Sequence, residues 1–255
     1  MKIDSPDGSQ IHALRSLWKE AFGDTDEFLD IFFSTAFSAD QCRCVAIDDT
    51  TAAALYLFDC SYSGRRIAYI YAVATLKAFR GRGLCSALMD DTHRFLAGKG
   101  YDGAILVPGS KELFDFYAKL GYRTCTTIGR LECTAADDST AADLKQIGVN
   151  EYAALRRRLL PFGGVVQEKE NLAFLSRQAQ FCTDTAGSFV LAANGHGDTL
   201  YGIELLGDTS AASAIVRALG YKKGVFRIPG GDVPFAMYYP FNDNIMPSYF
   251  GLAFD

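Results

Sequence analysis

The segment at residues 80–86 has the sequence Arg-Gly-Arg-Gly-Leu-Cys-Ser, which combines glycine with positive charge. A run of β-branched and aromatic residues at 66–75 predicts a strand before it, and apolar residues near helical spacing, from Leu84 to a stop at Gly98, predict a helix after it. Glycine lets the backbone turn several N–H groups towards one point, and a helix N-terminus adds unpaired donors and the positive end of its dipole. This geometry suits an anion such as a pyrophosphate, although an ordinary strand-to-helix turn also needs glycine.

The cysteines and histidines do not form a metal-binding pattern. The chain has seven cysteines, none in a C-x-x-C spacing, and its three histidines, His12, His93 and His196, are scattered. A metal ion needs clustered ligands, so we expect no metal site and reduced, mostly buried thiols. His93 lies among charged residues of the predicted helix and is expected on the surface. A helix N-terminus lowers the pKa of a thiol such as Cys85, but in this loop we expect a main-chain role for that residue.

The composition is that of a soluble globular protein with one large domain or two smaller ones. The 255 residues are 49% hydrophobic and 22% charged, and the formal net charge is -5. A net negative charge without a cluster of basic residues argues against a nucleic-acid partner. No apolar run is long enough for a membrane span, and the first residues lack the apolar core of a signal peptide. We therefore expect a cytoplasmic protein with neither nucleic acid nor membrane as a partner.

Hydrophobic periodicity predicts alternating helices and strands in the first half of the chain. Two apolar stripes, rich in aromatic residues, indicate two helices before the first strand. The predicted elements are helices near 11–22 and 28–37, strands near 42–48, 52–60 and 66–75, the helix after the bend, a strand at 103–107, a helix at 111–120, and a strand or hairpin near 122–134.

The second half repeats these themes weakly after a small, polar segment at 135–142, which indicates a linker. The predicted helices lie at 149–160, 168–178 and 210–219, and the predicted strands at 189–193, 200–206, 225–228 and 234–239. This half is a candidate shortened copy of the first. Its turn carries Asp208 where the first has arginines, and because a carboxylate repels an anion we expect no phosphate there. Three consecutive arginines at 156–158 are typical of a solvated helix face.

The order of these elements and two motifs resemble the GNAT acyltransferase superfamily of N-acetyltransferases. The family's cofactor motif, Gln/Arg-x-x-Gly-x-Gly/Ala, is matched by Arg80 and Gly83, with Cys85 where Gly or Ala is usual. Residues 113–122, Leu-Phe-Asp-Phe-Tyr-Ala-Lys-Leu-Gly-Tyr, are similar to the family's Phe-Tyr-x-Lys-x-Gly-Phe/Tyr segment. The resemblance implies a GNAT-like α/β (α+β) fold, in which a mixed, mostly antiparallel sheet is flanked by helices.

The arrangement of the two halves is similar to that of the enhanced-intracellular-survival type of acetyltransferase, without its third domain. This resemblance implies two tandem GNAT-like units. They are an acetyl-CoA-binding catalytic domain at 1–134, a linker at 135–142 and a degenerate GNAT-like domain at 143–255. The second domain is expected to shape the acceptor pocket, and self-association into a homo-oligomer is compatible with this organisation.

The resemblance also implies an acetyl-CoA-dependent N-acetyltransferase that moves an acetyl group to the amine of a small molecule or peptide. Tyr117 matches the family's general acid. In the three-domain relatives the C-terminal carboxylate enters the active site, and the apolar tail that ends at Asp255 is able to dock similarly. The residues expected to bind the cofactor are Val73, Ala74, Thr75, Arg80, Gly81, Arg82, Gly83, Cys85, Ser86 and Ser110.

The sequence does not identify the general base. A lysine-like amine has a pKa of about 10.4 and must lose a proton before it attacks. The strand at 67–75 carries no Asp or Glu, where many GNAT enzymes place one, and its Tyr69 and Tyr71 share one face that either lines the pocket or packs on the sheet. The missing carboxylate leaves an alternative function open, a coenzyme A-binding sensor or structural module without turnover.

Overall fold

The structure is a computed structural model, and it describes residues 1–137, 143–242 and 245–254. The strands are β1 (Lys2–Asp4), β2 (Cys42–Ile47), β3 (Thr50–Tyr62), β4 (Arg65–Thr75), β5 (Gly103–Leu106), β6 (Arg123–Thr124), β7 (Thr127–Thr134), β8 (Leu144–Gln146), β9 (Val166–Gln167), β10 (Gln180–Asp184), β11 (Phe189–His196), β12 (Thr199–Gly207), β13 (Lys223–Pro229), β14 (Val233–Pro234) and β15 (Met237–Pro240). The α-helices are α1 (Ile11–Phe22), α2 (Asp26–Thr35), α3 (Leu84–Gly98), α4 (Lys111–Lys119), α5 (Val149–Leu159), α6 (Glu170–Leu175) and α7 (Ala212–Ala218). Among the described residues, no helix has the length and apolar character that a membrane span requires.

The chain folds into two compact units whose boundaries differ from the predicted ones. The first unit comprises Met1–Arg123 and the described part of Met237–Met246, and the second comprises Thr124–Ala236 and residues 247–254. The sequence analysis ended the first domain at residue 134, but β7 pairs with β13 and β14 of the second unit. Of the predicted linker at 135–142, residues 138–142 lie outside the described part of the chain.

The predicted strand at 234–239 is divided between the two units. Its first part is β14, which pairs with β7, and its last part belongs to β15, which pairs with β5 of the first unit. Phe235 and Ala236 separate the two strands and are buried. Apolar and aromatic composition predicts that a segment is extended, but it does not specify the strand with which each part pairs.

The sheet of the first unit has the strand order β1-β2-β3-β4-β5-β15. Neighbouring strands are antiparallel except β4 and β5, which run parallel and are joined through α3. Leu84 and Leu88 recur at helical spacing on α3 and are buried in the core of this unit. Trp18 of α1 and Phe32 of α2 lie 4.9 and 5.0 Å from the ring of Tyr56 on β3. The predicted mixed, mostly antiparallel sheet flanked by helices is confirmed.

The sheet of the second unit has the order β14-β7-β13-β12-β11-β10-β8. Its central strands β12 and β13 are parallel and are joined through α7, and the other pairs are antiparallel. The series β8-β10-β11-β12-β13-β7 therefore repeats the order and connection of the first unit. The sequence analysis missed β10 and extended the preceding helix to residue 178, whereas α6 ends at Leu175.

Arg156 is buried in an ion pair, contrary to the predicted solvated arginine run. Its guanidinium donates from Nε to Glu204 Oε2 at 2.6 Å and from Nη2 to Oε1 at 3.0 Å, and the Tyr249 hydroxyl also donates to Oε1 at 3.0 Å. Arg156 is 2% exposed and Glu204 is fully buried. A Cβ at Gly251 would overlap the Glu204 carboxylate, so the tail approaches this pair closely only because residue 251 is glycine. Three adjacent arginines on a helix point in different directions, which their shared charge does not indicate.

Glu204→Gln is expected to destabilise the second unit by about 3 kcal/mol, because it leaves the Arg156 charge buried without its counter-ion. Urea denaturation followed by circular dichroism measures the free energy of unfolding. Glu132→Gln is the matched control, because Glu132 pairs with Arg130 at 2.7 Å on the surface and its loss should cost at most about 1 kcal/mol. Equal effects of the two substitutions would contradict the burial of the Arg156–Glu204 pair.

His93 is buried, not exposed as the sequence analysis expected. It is 7% exposed, its Nε2 lies 2.8 Å from the Tyr122 hydroxyl oxygen, and its ring stacks on Tyr239 at a centroid distance of 4.2 Å. Tyr239 lies on β15, so a strand distant in sequence covers the histidine. Burial lowers the pKa of His93 to about 4, with nearby Asp90 acting in the opposite direction.

The stability of the first unit is expected to fall as the pH is lowered from about 6.5 to about 4. The folded state holds His93 neutral while the unfolded chain takes up a proton near pH 6.5, so the unfolded state binds more protons in this interval. The loss approaches about 3 kcal/mol at pH 4. His93→Gln removes the titrating imidazole. The difference in the free energy of unfolding between wild type and variant should therefore become smaller as the pH falls. His12→Gln, at an exposed histidine of the same unit, should track the wild type at each pH.

Candidate active site

β4 loses its neighbour on one side partway along its length. It pairs with β3 as far as Thr75, but with β5 only over residues 67–69. Beyond Tyr69, no strand of the described chain lies on that edge of β4. Val73, Ala74 and Thr75, three of the predicted cofactor contacts, lie on this free stretch. Apart from the Thr75 carbonyl, which accepts from the Arg80 side chain, their main-chain groups on that side are therefore available to a ligand.

A β-bulge distorts the same stretch of β4. The register with β3 shifts between Ala54 and Tyr56, so that Ala72 and its neighbour on β4 oppose a single residue of β3. Ala72 has a φ of 49°, in the left-handed region that residues with a Cβ rarely adopt. Such a conformation costs about 1–2 kcal/mol and persists where the surrounding structure fixes it. Sequence reasoning missed Ala72, because no local signal marks it.

The bend after β4 carries unpaired main-chain N–H groups. Gly81 and Gly83 have φ values of 73° and 74°, which glycine adopts without strain. Gly83 is the N-cap of α3, and no side chain caps the helix. Within the described part of the chain, the N–H groups of residues 81–86 donate to no protein acceptor. The predicted donors are thus grouped at the positive end of a helix dipole.

Two arginines give this bend its positive charge. The Arg80 Nε donates to the carbonyl oxygen of Thr75 at 3.0 Å, which ties the bend to the end of β4. The Arg82 guanidinium lies 5.0 Å from the centre of the Phe79 ring. Both arginines are exposed, and the first turn of α3 contains no acidic residue. The bend is therefore a cationic surface with free N–H donors, which suits an anion.

The equivalent turn of the second unit, between β12 and α7, has a main-chain donor that is already occupied. Asp208 accepts hydrogen bonds from the main-chain N–H of Ser210 at 3.0 Å and from its hydroxyl at 2.6 Å. A carboxylate of the chain itself therefore accepts from this donor at the start of the turn. This contact gives the physical reason for expecting no phosphate there.

Tyr117 lies on α4 with its ring packed in the core of the first unit. It is 7% exposed, and its ring centre lies 5.2 Å from that of Phe116 and 5.8 Å from that of Tyr122. Burial raises the pKa of Tyr117, and the nearby Cys85 adds to the effect. Its hydroxyl has no hydrogen-bond partner among the described residues. The phenol is therefore a protonated donor at neutral pH.

Cys85 is a protonated thiol at neutral pH. Burial raises its pKa to about 11, so the helix N-terminus does not make it a nucleophile. The side chain is half-buried and packs against the core of the first unit, while its main-chain N–H belongs to the unpaired set of the bend. Cys85 therefore belongs to the bend and also packs against the core cluster that contains Tyr117.

The remaining predicted residues have simpler surroundings. Ser110 is the exposed N-cap of α4, so it lies at the start of the helix that carries Tyr117. Tyr69 stacks on Phe58 at 5.9 Å and Tyr71 packs edge-on to Trp18 at 5.6 Å, so both tyrosines pack on the sheet. Asp255 lies outside the described residues. No group of three or more possible metal ligands occurs in the described part of the chain.

The fold is similar to that of several solved structures. A GCN5-related N-acetyltransferase from Kribbella flavida is 18% identical with a TM-score of 0.72, over 94% of this chain and 71% of that chain. A GCN5-related N-acetyltransferase from Anabaena variabilis is 14% identical with a TM-score of 0.75, over 93% of this chain and 72% of that chain. Eis1 from Mycobacterium abscessus is 13% identical with a TM-score of 0.64, over 91% of this chain and 67% of that chain. At these identities the likeness concerns the fold alone.

No curated protein matches the sequence significantly. Residues 2–125 match the model of the GNAT acetyltransferase domain, and this segment contains β4, the bend, α3 and α4. Residues 2–125 are therefore similar to a GNAT acetyltransferase domain.

Proposed function

We propose that the protein is an acetyl-CoA-dependent N-acetyltransferase that acts on the amine of a small molecule or peptide. The observation that carries the proposal is the group of unpaired N–H donors at residues 81–86, at the end of a strand with a free edge. A diphosphate requires convergent donors and positive charge, and a pantetheine chain of amides requires an unpaired strand edge. The acetyltransferase domain match over residues 2–125 supports the same activity.

The residues of the bend and of β4 fit coenzyme A. The free N–H groups and the two arginines suit the diphosphate, and the unpaired edge of β4 suits the pantetheine amides. When bound, acetyl-CoA supplies an acetyl group activated as a thioester. The residues that we propose to hold it are Val73, Ala74, Thr75, Arg80, Gly81, Arg82, Gly83, Cys85, Ser86 and Ser110.

Tyr117 holds the proton that a leaving sulfur needs. Its raised pKa keeps Oη protonated at neutral pH. Full transfer from a phenol of pKa about 10 to a thiolate of conjugate pKa about 8.5 is uphill by roughly 2 kcal/mol, and burial of the phenol adds to this difference. The contribution that we propose is therefore a hydrogen bond from Oη to the developing thiolate, with proton transfer completed as the sulfur leaves.

The second unit is, in this proposal, a degenerate copy of the catalytic one. It repeats the strand order of the first unit, and a helix again joins its central parallel strands. Its Asp208 carboxylate takes the main-chain donor of the equivalent turn. We therefore assign acetyl-CoA to the first unit alone.

Arg82→Glu is expected to weaken coenzyme A binding about tenfold, which corresponds to roughly 1.4 kcal/mol, and to leave pantetheine binding unchanged, because pantetheine lacks the diphosphate. Isothermal titration calorimetry measures both affinities. The matched control is Lys99→Glu at the other end of α3, because Lys99 is also an exposed cation over a phenylalanine ring, that of Phe95 at 5.7 Å. Equal losses for coenzyme A and pantetheine would refute a diphosphate site at the bend.

Tyr117→Phe is expected to lower kcat about a hundredfold, because it removes the proton donor, with KM for acetyl-CoA unchanged. Release of free thiol with a fixed amine measures turnover. The control is Tyr101→Phe, which removes a hydroxyl from another buried tyrosine of the same unit, where it donates to Asp59. A folded Tyr117→Phe protein with wild-type kcat would exclude Tyr117 as the acid.

The sensor alternative is separated from the enzyme by the same assay with a panel of amines. Small amines, polyamines, amino acids and peptide N-termini cover the acceptor classes. Thiol release that depends on the amine supports transfer. Coenzyme A binding without release for every amine would favour a binding module.

We propose that the side-chain carboxylate of Asp255 accepts the amine proton, since β4 offers none. Asp255→Asn is expected to lower kcat at least about tenfold. A truncation before Leu252 would be uninformative, because Leu252 is buried and its carbonyl accepts from Gln167 Nε2 at 2.7 Å. Wild-type kcat in a folded Asp255→Asn protein would place the base elsewhere.

A further inference from the structure

A buried histidine lies one aromatic ring away from Tyr117 and has no part in the proposed chemistry. His93 Nε2 is 2.8 Å from the hydroxyl oxygen of Tyr122. The Tyr122 ring in turn meets the Tyr117 ring edge-on, at a centroid distance of 5.8 Å and an interplanar angle of 66°. The three side chains form a continuous contact path from α3 to the end of α4.

Tyr122 is bound to Tyr117 through the main chain as well as through its ring. Its N–H donates to the Tyr117 carbonyl at 3.1 Å, across a turn in which Gly121 has a φ of 92°. This is the geometry in which a left-handed glycine ends a helix and the following residue bonds back to the last turn. Tyr122 is therefore linked directly to the helical turn that carries Tyr117.

His93 is held in place by other rings as well as by its hydrogen bond to Tyr122. Its ring stacks on Tyr239 at 4.2 Å with an interplanar angle of 19°, and Phe241 lies 5.8 Å away. Tyr239 also closes the space beside Gly121, where an added Cβ would come within 2.8 Å of its ring. The imidazole is thus a fixed point from which a hydrogen bond orients the Tyr122 ring.

The Tyr117 hydroxyl depends on such support. It has no hydrogen-bond partner of its own among the described residues, so only the packing of its ring determines where its oxygen lies. A misplacement of about 1 Å in a reacting group costs up to about a hundredfold in rate. The hydrogen bond between His93 and Tyr122 does not involve Tyr117 itself. It is nevertheless able to change turnover without changing the fold, because it affects the ring against which Tyr117 packs.

We propose that His93 is a positioning residue for Tyr117, acting through its hydrogen bond to Tyr122. This inference rests on the proposed function, in which Tyr117 is the proton donor. The competing explanation is that the His93–Tyr122 bond only stabilises the core. The two explanations differ in whether the effect of His93 requires the Tyr117 hydroxyl.

The test is a double-mutant comparison with His93→Phe, which retains a ring to stack on Tyr239 but removes Nε2. In the wild-type background we expect kcat to fall about tenfold, with KM for acetyl-CoA changed less than about twofold. In the Tyr117→Phe background the same substitution should change kcat less than about twofold. A decrease of equal size in both backgrounds, or no decrease in a folded His93→Phe protein, overturns the proposal.

Three further variants keep the test decisive if His93→Phe folds poorly. Tyr122→Phe removes only one oxygen and should reproduce the tenfold loss. His93→Gln, which keeps a hydrogen-bonding nitrogen, should recover most of the activity. Thr92→Val is the matched control, because Thr92 is a fully buried neighbour on α3 whose hydroxyl bonds only to its own helix, at Leu88, and kcat should be unchanged. Loss of activity in Thr92→Val, or none in Tyr122→Phe, overturns the proposal.

A second readout separates this inference from the proposed function. In protein labelled with ¹³C-tyrosine, the ring resonances of Tyr117 should shift in His93→Phe and return towards their wild-type position in His93→Gln. If the protein shows no turnover, the proposed enzyme activity fails. A shift of the Tyr117 resonances would then still support the coupling between His93 and Tyr117. Unchanged Tyr117 resonances overturn the coupling itself.

Discussion

The hydrogen bonding of β4 is the constraint on which the first unit depends. Each strand offers two edges of N–H and C=O groups that require partners. β4 uses one edge fully with β3 but the other only over residues 67–69 with β5. The bulge at Ala72, the cationic bend and the start of α3 all lie at or beyond the point where the second pairing stops. An unpaired strand edge is a liability in a core, and here it provides the proposed cofactor surface.

Each of the two compact units is built from two separate segments of the chain. β15 follows most of the second unit in sequence but pairs with β5 of the first, whereas β7 follows α4 but pairs within the second unit. Tyr239 of β15 covers His93 and fills the space beside Gly121. The surroundings of Tyr117 therefore depend on a segment more than a hundred residues away, and residues 1–134 alone lack a strand of the first unit.

The second unit repeats the strand order of the first, but its turn and its central strand make different contacts. Its turn binds its own Asp208, and its central strand carries Glu204, whose buried pair with Arg156 also engages Tyr249 of the tail. The buried carboxylate of β12 is thus fully used in contacts within the second unit. Buried ion pairs are maintained by the cost of losing one partner, which makes this tail a fixed part of the unit.

Local sequence determined most of the helices and strands, and the bend after β4. The left-handed positions at Gly81 and Gly83, the arginines beside them and the helical spacing of α3 and α4 are encoded by neighbouring residues. Tertiary structure alone decided that His93 and Arg156 are buried, that the bulge falls at Ala72, and that 234–239 divides between two sheets. Backbone dihedral preferences and hydrophobic periodicity are set by residues close together in the sequence. Burial and the choice of strand partners depend instead on which distant segment packs against a given surface.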